Sequence, residues 1–300
     1  MKLLVFDIGG TEIKYSIMDE TLSMEHSGHV PTPIDSFESF SKIICDIYQE
    51  YKEEVEGIAM SILGFVDSKN GVIKGGGLLR YNWQRPLRDE LSRLCGCKVV
   101  MENDGKAAVK AEYRKGSLIG TKNAAVFVVG TGVGGGLVVN GQLLRGVHET
   151  AGEFSFISSD LEKFNGPDSF VGYTCSTRSL LDEYKKLSQS EEAIDGRQLF
   201  ERLSTDKAAK EALDHLGLRI AKQIYNLYWI LDLEKVAIGG GISAQPALIE
   251  AINTQFKKLI EGHPMAKYLP IKDLQIVKAR YGNEANQIGA FLTYLEQKEA

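Results

Sequence analysis

Short apolar runs and amphipathic stretches alternate along the whole chain. The apolar runs predict buried strands at residues 3–6, 13–18, 55–62, 98–101, 124–129, 137–140, 236–238 and 274–277. Apolar residues at helical spacing predict helices at residues 36–52, 106–114, 207–231, 246–259 and 286–297. Ser243 is expected to cap the helix that begins at Pro246. This alternation favours the α/β fold class.

Two glycine turns join pairs of predicted strands, and their surroundings resemble each other. The first stretch is LVFDIGGTEIKYSI, from residue 4, and the second is FVVGTGVGGGLVVNG, from residue 127. A repeat of this kind predicts two similar halves with a ligand held in the cleft between them. We place the first domain at residues 1–115 plus about 283–300, and the second at 116–282.

The glycine turns are suited to binding phosphate, because backbone N–H groups can converge there without side chains in the way. The residues expected to bind phosphate in this manner are Gly9, Gly10, Thr11, Lys14, Thr131, Gly132 and Gly134. Asp7 would repel phosphate unless a cation lay between them, which points to Mg²⁺ held by Asp7 through water. The competing interpretation is two tight hairpins without a ligand.

A carboxylate stands where the strand at 98–101 gives way to a helix. In α/β proteins this end of a strand faces the ligand. Asp104 could therefore accept the proton of an alcohol that attacks a phosphoryl group, and Asn103 could hydrogen-bond neighbouring hydroxyls. The alternative is that Asp104 serves only as a helix N-cap.

Composition narrows the function classes. The net charge is −5 and the pI is about 5.7, so a nucleic-acid-binding surface is not expected. No apolar run approaches the roughly 20 residues of a membrane span, and no secretory leader is apparent, so we expect a cytoplasmic protein. Its four cysteines are expected to be reduced thiols. The Cys95-Gly96-Cys97 stretch is interpreted as a turn before a strand rather than a metal site.

The assembled motifs resemble those of the ROK family of sugar kinases and repressors. The matching stretches are FDIGGTEIKYSI, SILGFVD, ENDGKAAVKAEYRKG, FVVGTGVGGGLVVNGQLLRG and VAIGGGIS. The resemblance implies a two-domain actin-like ATPase fold with duplicated ribonuclease H-like domains, using ATP and Mg²⁺. It implies Asp104 as the catalytic base, Gly240 and Gly241 near the adenosine, and a sugar held by Gly64, Asn103, Asp104 and Glu153.

One region departs from the family pattern. Where the family carries A-G-E-x-G-H and then a cysteine-rich zinc motif, this chain has Phe156 at the histidine position and no zinc motif. Loss of polar contacts and gain of an aromatic ring, together with Tyr81 and Trp83 in the loop 75–83, resemble the zinc-free β-glucoside kinases. That predicts phosphorylation of the 6-hydroxyl of a glucoside such as cellobiose. A glucokinase, fructokinase or N-acetylmannosamine kinase, with Phe156 and Tyr81 as packing residues, stays open.

Two other function classes compete with a kinase: a transcriptional repressor and a sugar sensor. A ROK repressor would carry a DNA-binding segment before the first phosphate motif, and this motif starts within the first few residues. A sugar sensor without catalysis would not need a positioned base such as Asp104. The expected partner is a small sugar, with no nucleic acid or membrane. Because ROK members are commonly dimers, the resemblance leaves a homodimer open.

Overall fold

The computed structural model describes residues 1–268 and 270–299, and its contacts divide the chain into two compact units. Unit 1 comprises Met1–Ala111, Arg145–Ala151 and the residues from Glu284 onward, whereas unit 2 comprises Glu112–Leu144 and Gly152–Asn283. The sequence assigned 116–282 to the second domain in one piece. The structure instead places Arg145–Ala151 with unit 1, through contacts described below.

Strands and helices alternate as the apolar pattern predicts. The strands are β1 (Lys2–Ile8), β2 (Glu12–Asp19), β3 (Met24–Pro31), β4 (Gly57–Ile62), β5 (Val66–Asp67), β6 (Val72–Ile73), β7 (Lys98–Asn103), β8 (Ala124–Val129), β9 (Val133–Val139), β10 (Gln142–Leu143), β11 (Lys235–Gly239) and β12 (Gln275–Lys278). The helices are α1 (Phe37–Tyr51), α2 (Leu87–Cys95), α3 (Asp104–Lys115), α4 (Val171–Thr174), α5 (Thr177–Ser188), α6 (Gly196–Arg202), α7 (Lys207–Leu231), α8 (Pro246–Glu261) and α9 (Ala285–Glu299).

Unit 1 is built on a five-stranded sheet with the order β3-β2-β1-β4-β7. Strands β1, β4 and β7 are parallel, and β2 and β3 return antiparallel. The three parallel strands are buried along most of their length, which explains their continuous apolar sequence. Helix α9 packs on these three strands, so the end of the described chain completes the core that its beginning starts.

Unit 2 repeats this arrangement with the order β10-β9-β8-β11-β12. Strands β8, β11 and β12 are parallel, and β9 and β10 are antiparallel to their neighbours. Helix α7 packs between α5 and α8 and buries its apolar stripe in the unit's core. The internal repeat inferred from the two glycine stretches is therefore confirmed by strand order and direction.

Two local predictions were wrong. Only Gly130, Thr131 and Gly132 form the second turn, because Val133–Val139 is already a paired strand that contains Gly134, Gly135 and Gly136. Ser243 does not cap α8: Gln245 stands at the cap position, and the Ser243 hydroxyl donates to the Gly240 carbonyl at 2.8 Å. No helix within the described residues is long and apolar enough to cross a membrane.

Candidate active site

The first glycine turn, Gly9-Gly10-Thr11, is a tight connection between β1 and β2. The Gly9 N–H donates to the Glu12 carbonyl at 3.0 Å, and Thr32 braces the turn from the end of β3 through its hydroxyl, 2.8 Å from the Gly9 carbonyl. Among the described residues, the Gly10 and Thr11 N–H groups have no hydrogen-bond acceptor. They are therefore available to an anion, as the sequence predicted for a phosphate turn.

Asp7 lies beside this turn near the end of β1. Its Oδ1 accepts hydrogen bonds from the Ser61 hydroxyl at 2.5 Å and from the Asn286 amide at 3.0 Å. Lys14 is its partner in the β1–β2 ladder and also pairs with Glu12 at 3.3 Å. Burial raises the pKa of Asp7 above its usual value, although both hydrogen bonds oppose that shift.

At the junction of β7 and α3, one residue caps the helix and the next is the candidate base. The side chain of Asn103 caps α3, because its Oδ1 accepts the Lys106 N–H at 2.9 Å. Its amide donates to the Gly64 carbonyl at 2.9 Å and to Asp104 Oδ1 at 3.0 Å. Asn103 therefore positions Asp104, and its remaining capacity toward a sugar is a single acceptor lone pair. The N-cap alternative for Asp104 is wrong, since Asn103 fills that role.

The Asp104 carboxylate has the properties of a general base. Its Oδ1 accepts from Asn103 and from the Gly105 N–H at 2.8 Å, and no described residue bonds its Oδ2. Burial, followed by the nearby negative charge of Asp7, raises its pKa to about 6. A base is most effective when its pKa is close to the working pH, so this value suits proton abstraction near neutrality.

The buried carboxylates of Asp7 and Asp104 are the acidic groups that could hold a hydrated Mg²⁺ ion. Asp7 and Asp104 both have pKa values raised by burial, and the charge of Asp7 adds to the shift of Asp104. A divalent cation would relieve this unfavourable pairing. No group of three or more His, Cys, Asp or Glu side chains in the described residues is arranged to hold a metal. Mg²⁺ commonly takes only one or two carboxylates and completes its shell with water and substrate phosphates.

The backbone conformation and close packing at position 64 require glycine. Its φ is +108°, and a Cβ there would lie 2.8 Å from the Gly75 carbonyl oxygen. Its own carbonyl anchors Asn103. The loop that follows reaches the phosphate turn, because a Cβ on Gly10 would lie 2.8 Å from Leu78 Cδ1. Gly64 thus links the loop at residues 75–83 with the β7–α3 junction.

A buried ionic network behind Asp104 was missed by the sequence. Glu102 is fully buried and pairs with Arg145, with Nη1 3.0 Å from Oε1 and Nη2 2.5 Å from Oε2. Ser68 donates to Oε1 at 2.9 Å, and Lys110 Nζ lies 3.5 Å from Oε2. Although burial alone would raise the pKa of Glu102, the Arg145 hydrogen bonds and the Lys110 charge hold it below its usual value.

A buried lysine forms a second contact that holds the segment Arg145–Ala151 in unit 1. Lys106 is fully buried, and its ammonium group donates to the Glu149 carbonyl at 2.7 Å. Glu149 adopts a left-handed backbone with φ +61°, a conformation that is uncommon for residues other than glycine, Asn and Asp. Arg145 and Lys106 together explain why Arg145–Ala151 belongs to unit 1.

Unit 2 holds the second phosphate turn and the third glycine turn side by side. The Gly130 N–H donates to the Gly132 carbonyl at 2.9 Å, and Thr131 is exposed at the tip. Gly240 has φ +87°, and a Cβ there would lie 2.3 Å from the Val129 carbonyl oxygen. A side chain is therefore excluded at Gly240, and a Cβ on Gly241 would meet nothing within 4 Å.

Glu153 lies in unit 2 between two fixed neighbours. Gly152 has φ +82°, and a Cβ there would lie 2.6 Å from the Gly136 Cα. Phe154 is buried and stacks on Phe127 with ring centroids 4.2 Å apart. Glu153 thus sits at a well-defined backbone position, and Phe156, two residues beyond Phe154, is 63% exposed.

The aromatic residues Tyr81 and Trp83, in the loop at residues 75–83, hydrogen-bond to backbone carbonyls within unit 1. The Tyr81 hydroxyl donates to the Pro33 carbonyl at 2.6 Å, and its ring packs against Phe40 with centroids 6.0 Å apart. Trp83 donates from its indole N–H to the Gly76 carbonyl at 2.7 Å. Tyr81 is therefore a packing residue, in agreement with the alternative left open above.

The predicted residues fall into two groups, one in each unit. Unit 1 contains the residues expected to bind phosphate, magnesium and sugar and to act as base: Asp7, Gly9, Gly10, Thr11, Lys14, Gly64, Asn103 and Asp104. Unit 2 contains Thr131, Gly132, Gly134, Glu153, Gly240 and Gly241. Ser61, Arg145 and Asn286 were missed as site residues, although Ser61 and Arg145 both lie within quoted motifs.

Comparisons with known proteins identify the family of this chain. The family model described as "ROK family" matches residues 4–297. The β-glucoside kinase of Listeria monocytogenes is 29% identical over 99% of this chain and 99% of its own length. The N-acetylmannosamine kinase of Vibrio vulnificus is 32% identical over 81% of this chain and 83% of its own.

A solved structure shares the whole fold. The ROK family glucokinase from Streptomyces griseus, determined in complex with glucose and AMPPNP, superposes with a TM-score of 0.83. It is 25% identical, and the match covers 98% of this chain and 100% of that one. The two-domain fold inferred from the sequence is confirmed by this likeness.

Proposed function

We propose that this chain, which belongs to the ROK family and is a carbohydrate kinase, transfers the γ-phosphoryl group of Mg-ATP to the 6-hydroxyl of a β-glucoside such as cellobiose. The observation that carries the proposal is Asp104: a carboxylate with one unbonded oxygen and a pKa of about 6, held at a strand end beside a phosphate turn. A protein that only bound sugar would not need a base tuned in this way.

Asp104 Oδ2 accepts the proton of the attacking sugar hydroxyl as its oxygen approaches the γ-phosphorus. Oδ1 cannot move, because Asn103 and the Gly105 N–H both hold it. Asn103 is itself fixed by the Gly64 carbonyl and the Lys106 N–H. The base is thus oriented before substrate binds, which lowers the cost of reaching the reactive geometry.

The phosphate side of the mechanism uses the glycine turns. In unit 1 the Gly10 and Thr11 N–H groups and Lys14 would bind phosphate oxygens, and Asp7 would hold Mg²⁺ through water. In unit 2 the turn at Thr131 and Gly132 and the strand residue Gly134 would bind phosphate, with the adenosine near Gly240 and Gly241. When bound, the metal would offset the charge of the transferring phosphoryl group.

The substrate class rests on two observations. The Listeria monocytogenes relative is named a β-glucoside kinase and matches over nearly its full length. Phe156 is 63% exposed at the position where the ROK pattern has histidine, and an aromatic ring at this position can stack on a sugar face or an aglycone. In this proposal Glu153 would hydrogen-bond a sugar hydroxyl.

A plain hexokinase is the second candidate. It is favoured by the fold match to the Streptomyces griseus glucokinase and by Tyr81, which is committed to packing rather than to a pocket. The Vibrio vulnificus relative adds N-acetylmannosamine as a third substrate to be tested.

The test is ADP release from Mg-ATP with glucose, cellobiose, an aryl β-glucoside, fructose and N-acetylmannosamine, each with an Asp104→Asn control. We expect turnover of both β-glucosides well above that of glucose, and a loss of about 10² to 10⁴-fold in kcat in the control. Turnover confined to a monosaccharide would overturn the β-glucoside assignment. Binding of a sugar without ADP release would point to a sensor instead.

A further inference from the structure

Three thiols lie close together in unit 1 on elements that carry no substrate residue. Cys45 stands in the middle of α1, Cys95 is the last residue of α2, and Cys97 directly precedes β7. The Sγ atoms of Cys45 and Cys95 are 2.6 Å apart. That is about half an ångström beyond the ~2.05 Å length of a disulfide bond, so the two side chains already point at each other.

The two sulfurs differ in the way an attacking and a resolving thiol should. Cys45 is partly exposed, whereas Cys95 is 5% exposed. The hydrogen bond between the two sulfurs lowers the pKa of Cys45 and, together with burial, raises the pKa of Cys95. A partly exposed thiol that ionises first is the one that an oxidant reaches.

Cys97 is occupied elsewhere. The Tyr48 hydroxyl lies close enough to influence its thiol, and the pKa of Cys97 is raised, chiefly by burial. Gly96 separates it from Cys95 with a left-handed backbone at φ +73° that ends α2. No cluster of three or more His, Cys, Asp or Glu side chains suitable for a metal occurs in the described parts of the chain, so a thiolate metal centre does not account for the cluster.

We propose that Cys45 and Cys95 form a redox-active dithiol, which a peroxide converts into a disulfide linking α1 to α2. The Cys45 thiolate attacks one peroxide oxygen, the O–O bond breaks, and hydroxide leaves and takes up a proton as water, giving a sulfenic acid at Cys45. The Cys95 sulfur then displaces that hydroxyl group, which leaves as a second water with the Cys95 proton. In sum, two thiols and one hydrogen peroxide give one disulfide and two waters.

The link would act on the catalytic unit. It would close a loop between residues 45 and 95, which restricts the unfolded chain and stabilises unit 1. Helix α2 leads through Gly96 into β7, the strand that carries Asn103 and precedes Asp104. The proposal does not depend on which sugar is phosphorylated.

The experiment treats the full-length protein with a small excess of hydrogen peroxide, blocks remaining thiols with N-ethylmaleimide, and maps tryptic peptides without reduction. We expect a linked pair of peptides, residues 43–52 and 94–98, with the mass of two lost hydrogens, together with a melting temperature several degrees higher. Dithiothreitol should reverse both changes.

The variants identify the partner, because peptide 94–98 contains both Cys95 and Cys97. The link should persist in Cys97→Ser and in Cys175→Ser, whose thiol is buried in unit 2, and should vanish in Cys45→Ser and Cys95→Ser. Cys45→Ser changes a partly exposed position and tests the pair even if Cys95→Ser does not fold. A Cys45–Cys97 link, a Cys95–Cys97 link, a sulfinic acid at Cys45 or an unchanged peptide map would each overturn the proposal.

Discussion

Two acidic residues separated only by Asn103, Glu102 and Asp104, have pKa values shifted in opposite directions. Glu102 is fully buried and remains ionised because Arg145 and Lys110 offset the cost of burial. Asp104 lacks such a pair, and its pKa is raised to about 6. Separation of neighbouring carboxylates in this way is typical of sites where one acid is structural and the other reacts.

Replacement of Asp104 by Asn should lower kcat by about 10² to 10⁴-fold, since the general base is lost while the side-chain shape is kept. Sugar binding should change little, because the Asn103 and Gly64 contacts do not require a charge. Steady-state kinetics together with calorimetric sugar binding measure the two effects. Wild-type turnover in this variant would remove Asp104 from the mechanism.

The pH dependence of kcat/KM should show an acid limb near pH 6. Asp104 must be ionised to accept a proton, so activity should fall about tenfold for each unit below its pKa. Stability should change in the opposite sense. The folded-state pKa of about 6 lies above the ordinary 3.8, so the folded protein binds the extra proton between these values and becomes more stable as pH falls through that window.

Melting curves of the wild type and Asp104→Asn between pH 4 and pH 8 test that sign. The advantage of the Asn variant should grow as pH rises toward 6 and then level off. An advantage that shrinks over this range would mean that the folded-state pKa is not raised.

At the scale of residues, the sequence singled out the candidate reacting groups but not the side chains that position them. Asp7 and Asp104 could be found because glycine turns and strand ends are visible locally. Arg145 could not, since it lies 43 residues beyond Glu102 and no sequence signal connects the two. Asn103 was expected to bind substrate hydroxyls, and the geometry shows an amide already committed to Gly64, Asp104 and α3.

At the scale of elements, the segment Arg145–Ala151 anchors to unit 1 through one ion pair and one lysine. Changing Arg145 to Met should destabilise unit 1 by about 3–5 kcal/mol, because Glu102 would stay buried without its bidentate partner. Denaturant unfolding measures this loss.

Two further variants make the result specific. Glu102→Gln combined with Arg145→Met should recover a large part of the stability, since no uncompensated charge then remains buried. Lys42→Met breaks an exposed pair with Asp46 and should cost less than about 1 kcal/mol. Equal losses for Arg145→Met and Lys42→Met would contradict a structural role for the buried pair.

A second element-scale prediction concerns Gly64. Gly64→Ala should lower kcat and stability together, because a Cβ at φ +108° would collide with the Gly75 carbonyl and displace the anchor of Asn103. Gly120→Ala is the matched control, with φ +84° and no atom within 4 Å of an added Cβ. Kinetics and thermal unfolding of both variants measure these effects. Gly120→Ala should lower stability only, through backbone strain. Gly64→Ala should lower both stability and kcat.

Element boundaries were least predictable where glycines cluster. Periodicity identified α7 to the residue, since a long amphipathic stripe is unambiguous. In the stretch from Gly130 to Gly136, composition indicated a single turn. Its last three glycines, Gly134 to Gly136, instead pair with β8 and belong to strand β9. Tertiary hydrogen bonds outweigh the low strand preference of glycine there.

At the scale of the whole molecule, residues from both ends of the sequence form one site. Asn286 of α9 donates to Asp7 of β1, and Gln287 donates to the Val5 carbonyl at 3.2 Å. The sequence predicted the strand, the last helix and its return to the first domain. It could not predict these contacts, because they join residues about 280 positions apart.

Asn286→Ala should raise the Mg²⁺ concentration needed for half-maximal activity by about tenfold, the equivalent of one hydrogen bond to a charged group. The lost donor leaves Asp7 less oriented and easier to protonate. Magnesium titrations at saturating sugar measure the change, with Asn253→Ala in unit 2 as control. An unchanged magnesium requirement would separate Asp7 from the metal.

The position of α9 also has a consequence for the order in which the protein takes shape on the ribosome. Every segment of unit 2 is translated before Glu284, whereas the sheet that carries Asp7 and leads into Asp104 lacks the cover of α9 until that helix emerges. Unit 2 can therefore fold during translation, and the half that holds the base is finished last. A nascent chain halted before α9 would expose apolar strands, and chaperones should recognise it.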